Sequence, residues 1–103
     1  MIQGTTPTHT FTIGINPEMV DELEIYYEQK GKLICTKRLE DCTVEGNTYI
    51  VKLTQKETLA FNDKDNVCVQ ARVKTTSGDV LATYVRQINV HRLLSREVND
   101  AKS

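Results

Sequence analysis

The chain alternates. From Thr8 to Ile15 the odd positions carry His9, Phe11, Ile13 and Ile15, and the even positions carry Thr8, Thr10, Thr12 and Gly14. A period of two puts each set on its own side of an extended backbone, so this segment predicts a half-buried strand. Asn16-Pro17 stops it, because proline lacks the N–H that a ladder requires. Glu22 to Gln29 alternates again, with Leu23, Ile25 and Tyr27 on one side and Glu22, Glu24, Tyr26 and Glu28 on the other. A helix opened by Pro17-Glu18 competes here; the Ile25-Tyr26-Tyr27 centre and the Lys30-Gly31 turn favour a strand. Lys32 to Leu39 then closes a hairpin, with Leu33, Cys35 and Leu39 as its expected inner face.

Cys42–Val44 and Thr48–Leu53 predict a second hairpin around Glu45-Gly46-Asn47, with Tyr49, Val51 and Leu53 inward. Thr54-Gln55-Lys56-Glu57 has the spacing of a capping box, in which Thr54 and Glu57 each satisfy the other's free backbone N–H. A short helix over Gln55–Ala60 follows, pinned by Leu59 and Phe61, and then a polar turn, Asn62-Asp63-Lys64-Asp65-Asn66. Val67, Val69, Ala71 and Val73 mark the cleanest strand. Thr76-Ser77-Gly78-Asp79 is a hairpin turn. The last strand runs from Val80 to His91, with broken alternation at Ala82–Val85 that predicts a bulge or a change of sheet. About seven strands joined by short turns, with one short helix, predict an all-β sandwich over residues 1–92. Leu93 to Ser103 is expected to be a polar tail, with Leu93–Val98 as a short helical stretch.

Composition narrows the function more than the fold. At 103 residues the chain has room for one core. Thirteen basic and fourteen acidic residues give a net charge of −1, a poor match to a domain built to grip phosphate backbones. No apolar run reaches the roughly 20 residues of a membrane span. No basic start leads into an apolar stretch, so the expectation is a chain made in the cytoplasm. Cys35, Cys42 and Cys68 are odd in number, contain no Cys-x-x-Cys pair and lie far from His9 and His91. Free thiols in a reducing compartment, without a zinc site, are the expectation.

Several stretches have a familial look. Ile2-Gln3-Gly4-Thr5-Thr6-Pro7, followed by Thr10-Phe11-Thr12-Ile13, resembles the opening of small proteins encoded in phages and prophages of Gram-positive bacteria. Leu53 to Phe61 (LTQKETLAF) is similar to a recurring stretch in them, as are Val69-Gln70-Ala71-Arg72-Val73 and Gly78-Asp79-Val80-Leu81-Ala82. The resemblance spans residues 2–92 and implies an immunoglobulin-like β-sandwich. It extends, more distantly, to the N-terminal immunoglobulin-like domain of phage baseplate upper proteins, and it implies association with a virion. It carries no functional residues. The chain departs from the secreted immunoglobulin pattern in having no tryptophan and no inter-sheet cysteine spacing.

Chemistry has few footholds. Ser77, Ser95 and Ser103 fall in a turn or the tail, and no Gly-x-Ser-x-Gly elbow exists. His9 brought near Cys35 or Cys68 is the one arrangement that would support an enzymatic or metal-binding reading. Asn62, Asp63, Asp65 and Asn66 resemble an oxygen-rich cation loop but lack the glycine and distant glutamate of an EF-hand. Glu18, Asp21, Glu22, Glu24 and Glu28 read as a solvated strand face. Lys30, Lys32, Lys37 and Arg38, extended by Arg72 and Lys74 and interleaved with Tyr26 and Tyr49, form the basis of a nucleic-acid alternative.

The expectation is therefore a non-enzymatic structural or protein-binding module, without cofactor or membrane partner. It would meet a protein partner, or a second copy, through an edge strand or a sheet face. The expected contacts are Ile34, Thr36, Lys32 and Tyr26, chosen because Ile34 is an apolar residue on an otherwise polar face. The N-terminal arm Met1–Thr8 is the second expected contact.

Overall fold

Two antiparallel sheets face each other across one apolar layer. The structure, a computed structural model, describes residues 1–83 and 85–92. The expected tail and its short helix lie outside the described residues. In chain order the strands are β1 (Thr8–Thr12), β2 (Val20–Gln29), β3 (Lys32–Arg38), β4 (Cys42–Glu45) and β5 (Thr48–Lys52). A short helix α1 (Gln55–Leu59) precedes β6 (Val67–Thr75), β7 (Val80–Ala82) and β8 (Arg86–Ile88). The smaller sheet has the order β1-β5-β4. The larger has the order β3-β2-β6-β7, and β8 pairs with β6 beyond β7. The all-β sandwich expected from the alternation is the fold of the chain.

Alternation places the core. Phe11, Tyr49 and Val51 from the smaller sheet meet Leu23, Ile25, Tyr27, Val69, Ala71 and Val73 from the larger, all buried. Burying such side chains contributes about 1.5–3 kcal/mol each, the main term opposing chain entropy. The capping box forms as the sequence predicts: Glu57 N–H donates to Thr54 Oγ1 at 3.1 Å, and Thr54 N–H donates to Glu57 Oε1 at 2.8 Å. Lys30 and Gly31 both take positive φ, 49° and 76°, the geometry of a two-residue hairpin turn.

The bounds of several elements depart from the sequence reading. The first strand ends at Thr12 rather than Ile15, although Ile13 N–H still donates to Asn47 O. Single 3-10 turns appear at Pro17–Met19, capped by Asn16 Oδ1, and at Leu39–Asp41; one turn is too short to leave a period in the sequence. The expected last strand divides into β7 and β8, both on β6. Thr83 sits at the break: its N–H donates to Ala71 O, and its Oγ1 accepts from Ala71 N–H. The interruption expected at Ala82–Val85 is therefore a local insertion of a side chain into the ladder, without a change of sheet.

Among the described residues, no helix is long and apolar enough to cross a membrane.

Candidate functional site

The outer face of the larger sheet collects the expected contact residues, but not as the alternation predicts. Tyr26 pairs with Thr36, and Tyr27 with Cys35. The register then slips, so that Glu28 pairs with Leu33 and Ile34 is the extra residue of a β-bulge. The bulge exchanges two faces. Ile34, expected on the outer polar face, is half-buried and packs against the core. Leu33, expected inside, lies beside Glu28 and is 52% exposed. Cys35 and Leu39 pack against the core as expected. Lys32 pairs with Gln29 at the end of the hairpin and is exposed.

Leu33, Tyr26, Glu28, Cys68, Gln70 and Val85 together line a shallow depression of about 240 Å³. Val85 is 54% exposed, so the depression has an apolar wall at each end. Burial, with the Glu24 carboxylate beside it, pushes the Tyr26 hydroxyl above its ordinary pKa. Around the depression, charges of opposite sign lie in register. Glu24 stands between Arg38 and Arg72, and Glu22 is opposite Lys74. The expected basic cluster is therefore split: β2 separates the arginine of β3 from the basic residues of β6. Lys30 pairs with Asp65 at 3.4 Å, and Tyr49, one of the two expected stacking platforms, is buried. Its hydroxyl has no hydrogen-bond partner among the described residues.

The N-terminal arm is fastened down. Gln3 is buried and its side-chain amide donates to Phe61 O; Thr58 Oγ1 donates to Thr5 O at 2.8 Å. Leu53 N–H donates to Pro7 O at 3.0 Å. These bonds fix the arm against the body of the sandwich, with Ile2 47% exposed on it.

No family model matches this chain, and no curated protein matches it.

Between the sheets, His9 and Glu57 each centre a polar cluster. His9 Nδ1 lies 2.8 Å from the Tyr27 hydroxyl, and the two rings sit 5.6 Å apart. Burial, then Arg86, then the chain's amino terminus, lower the His9 pKa below 6.5. The second cluster centres on Glu57, whose Oε2 lies 2.7 Å from Lys37 Nζ and accepts from Cys35 Sγ at 3.4 Å. Burial pushes the Glu57 carboxyl up, but the hydrogen bonds from Lys37, Thr54 N–H and Cys35 outweigh it and hold it low. Burial and the Glu57 charge push the Cys35 thiol up to about 11, which favours the unreactive thiol. Cys68 is on the opposite side of the sheet from His9, in the outer depression. The sequence missed Glu57 as a hub, although its capping-box position signalled a fixed side chain.

The polar turn after α1 is also internally satisfied. Asn62 Oδ1 accepts from Lys64 N–H and Asp65 N–H, both at 3.0 Å, while the buried Gln29 side chain donates to Asn62 O and Asp65 O. Among the described residues no group of three metal-ligating side chains converges.

Proposed function

We propose that this chain is a non-enzymatic structural or protein-binding module: an immunoglobulin-like sandwich that serves as an assembly component of a phage or prophage. Strand order supports the immunoglobulin-like reading. Lettered by position, β1, β5 and β4 correspond to strands B, E and D, and β3, β2, β6 and β7–β8 to C′, C, F and G. The short parallel bridge of Ile2 to His91 stands where an N-terminal strand would lie against G. The phage assignment rests on the sequence resemblance.

One observation carries the binding reading: the bulge turns Leu33 out beside Tyr26 and opposite Val85, on a sheet face otherwise covered by paired charges. An apolar centre with a charged rim is the anatomy of a protein contact. Ordinary exposed side chains are common singly; this face groups them around a depression. The Glu57 hub and the His9–Tyr27 pair are each committed to internal partners.

The test is a comparison of native protein with Leu33→Asp and Val85→Asp in light scattering across a concentration series, and in binding to the products of neighbouring genes. Loss of self-association or of a defined complex in both variants, with unfolding midpoints unchanged, supports the reading. Association that both variants leave intact overturns the assignment of this face.

A further inference from the structure

The two ends of the described chain are held together across the open flank of the sandwich. His91 N–H donates to Met1 O at 2.8 Å, and Gln3 N–H donates to His91 O at 3.0 Å. The Met1 ammonium donates to Asn89 O at 2.8 Å. Next to this clasp, β8 pairs with β6 through Val67↔Ile88, Cys68↔Gln87 and Val69↔Arg86. Arg86 shares the inward side with Val69 and reaches the smaller sheet, its guanidinium 4.5 Å from the Phe11 ring centre. Its Nη2 also donates to Thr10 O at 3.5 Å. Arg86 thus ties β8 to β1 from the other side.

His9 is next to Thr10, whose carbonyl Arg86 reaches, and on the same side of β1 as Phe11, which the guanidinium covers. The groups facing it are the Tyr27 hydroxyl from β2, Arg86 from β8 and the Met1 ammonium from the N-terminal segment; Val51 is its neighbour on β5. Tyr27 in turn faces Cys35, Cys42 and Glu57 from the other flank. Both charges acting on His9 are positive. A neutral imidazole with its proton on Nε2 accepts the hydrogen of the buried Tyr27 hydroxyl at Nδ1. A protonated one cannot, so Tyr27 would lose its acceptor at the same time as a third positive charge appeared beside the strap.

We propose that His9 is the sensor of an acid-released latch: its protonation opens the clasp formed by Met1–Gln3, β8 and His91, while the remainder of the sandwich stays folded. Opening removes Arg86 and the Met1 ammonium from His9 and admits water, so the open form binds the proton more tightly than the closed form. By linkage, the opening equilibrium then rises as pH falls, by up to about tenfold per pH unit, over the interval from His9's free value of 6.5 down to its lowered closed-state value. Above that interval the imidazole is neutral in both forms and the latch does not respond. The inference is independent of the surface-contact reading above.

Amide hydrogen exchange by NMR, corrected for intrinsic exchange rates, tests it between about pH 7.5 and about pH 5, the range in which histidine titrates. Protection of Gln3 and His91 should be flat at the upper end and fall toward the lower end. Protection of Ile25, in the centre of β2, should not fall with it. His9→Gln keeps an acceptor for Tyr27 but cannot titrate, and should make clasp protection independent of pH. His91→Gln should leave the pH dependence in place, since that side chain is only at the clasp's outer end. Should His9→Gln fold poorly, Arg86→Gln reports instead: it should shift the His9 ring titration upward in the NMR spectrum and flatten the response. Clasp protection that is constant in native protein, that falls equally in His9→Gln, or that is tracked by Ile25, overturns the proposal.

Discussion

The two flanks of the sandwich are closed by opposite means. On the β3–β4 flank, α1 lies across the gap and the Glu57 carboxylate serves three donors, Lys37, Cys35 and the Thr54 N–H, while its own N–H donates to Thr54 Oγ1. Lys37 is 12% exposed there, with its ammonium 2.7 Å from that carboxylate. On the β1–β7 flank no helix among the described residues covers the gap. Val80 and Leu81 are 57% and 45% exposed, a groove of about 290 Å³ runs between Ile13–Ile15 and β7, and the exposed Arg86 reaches from β8 to Phe11 and Thr10 of β1. The comparison separates a flank held by desolvated charge from one held by a strap. The first is costly to break and insensitive to salt; the second opens at small cost.

The sharpest way to break that contrast is Glu57→Ala. It removes a cap and leaves Lys37 half-enclosed without its partner, and should cost about 3 kcal/mol in urea denaturation. Because Glu57 titrates below its ordinary value in the folded chain, its contribution is fully present above the unfolded carboxyl pKa of 4.5 and is lost as pH falls through the folded value. A Glu57→Ala variant should therefore lose the acid-side decline that native protein displays in that window. Next in size is the pair of substitutions that read the bulge. Ile34→Asp puts a charge against the core and should cost about 2 kcal/mol, whereas Leu33→Asp should stay within about 0.5 kcal/mol of native. Equal costs would mean that the bulge is not where the register places it. The smallest effect belongs to the strap. Arg86→Ala removes an exposed cation–π contact and should cost about 0.5–1 kcal/mol, while measurably raising hydrogen exchange at Val67 and Val69.

Much of the architecture was legible in the alternation. β2, β5 and β6 carry apolar residues at strict period two, and their inner faces lie where that period puts them. Thr54 and Glu57 announced the start of α1 at Gln55, because the capping box is a local device whose partners are fixed by spacing alone. The face of β3 was not legible. Leu33 and Ile34 are adjacent and both apolar, so either can turn inward, and the choice is made by pairing with Tyr27 and Glu28 across the hairpin. Nor was the strap: Phe11 and Arg86 stand at opposite ends of the sequence, and nothing local to either specifies their meeting. His9 was readable as an inward residue of β1, but its partner Tyr27 comes from the opposing sheet. The basic cluster failed for the same reason, since charges that are neighbours in composition were separated by strand order.

The bulge at Ile34 also has an evolutionary reading. Pairing resumes on either side of that residue, Tyr27 with Cys35 and Glu28 with Leu33. Deleting Ile34 alone would join the two halves into a regular ladder and leave Leu33, Thr36 and Arg38 beside their present partners. A relative one residue shorter in this hairpin can thus preserve the whole outer face, and an alignment that places its gap at the Lys30-Gly31 turn instead would compare outward residues with inward ones between the turn and Ile34.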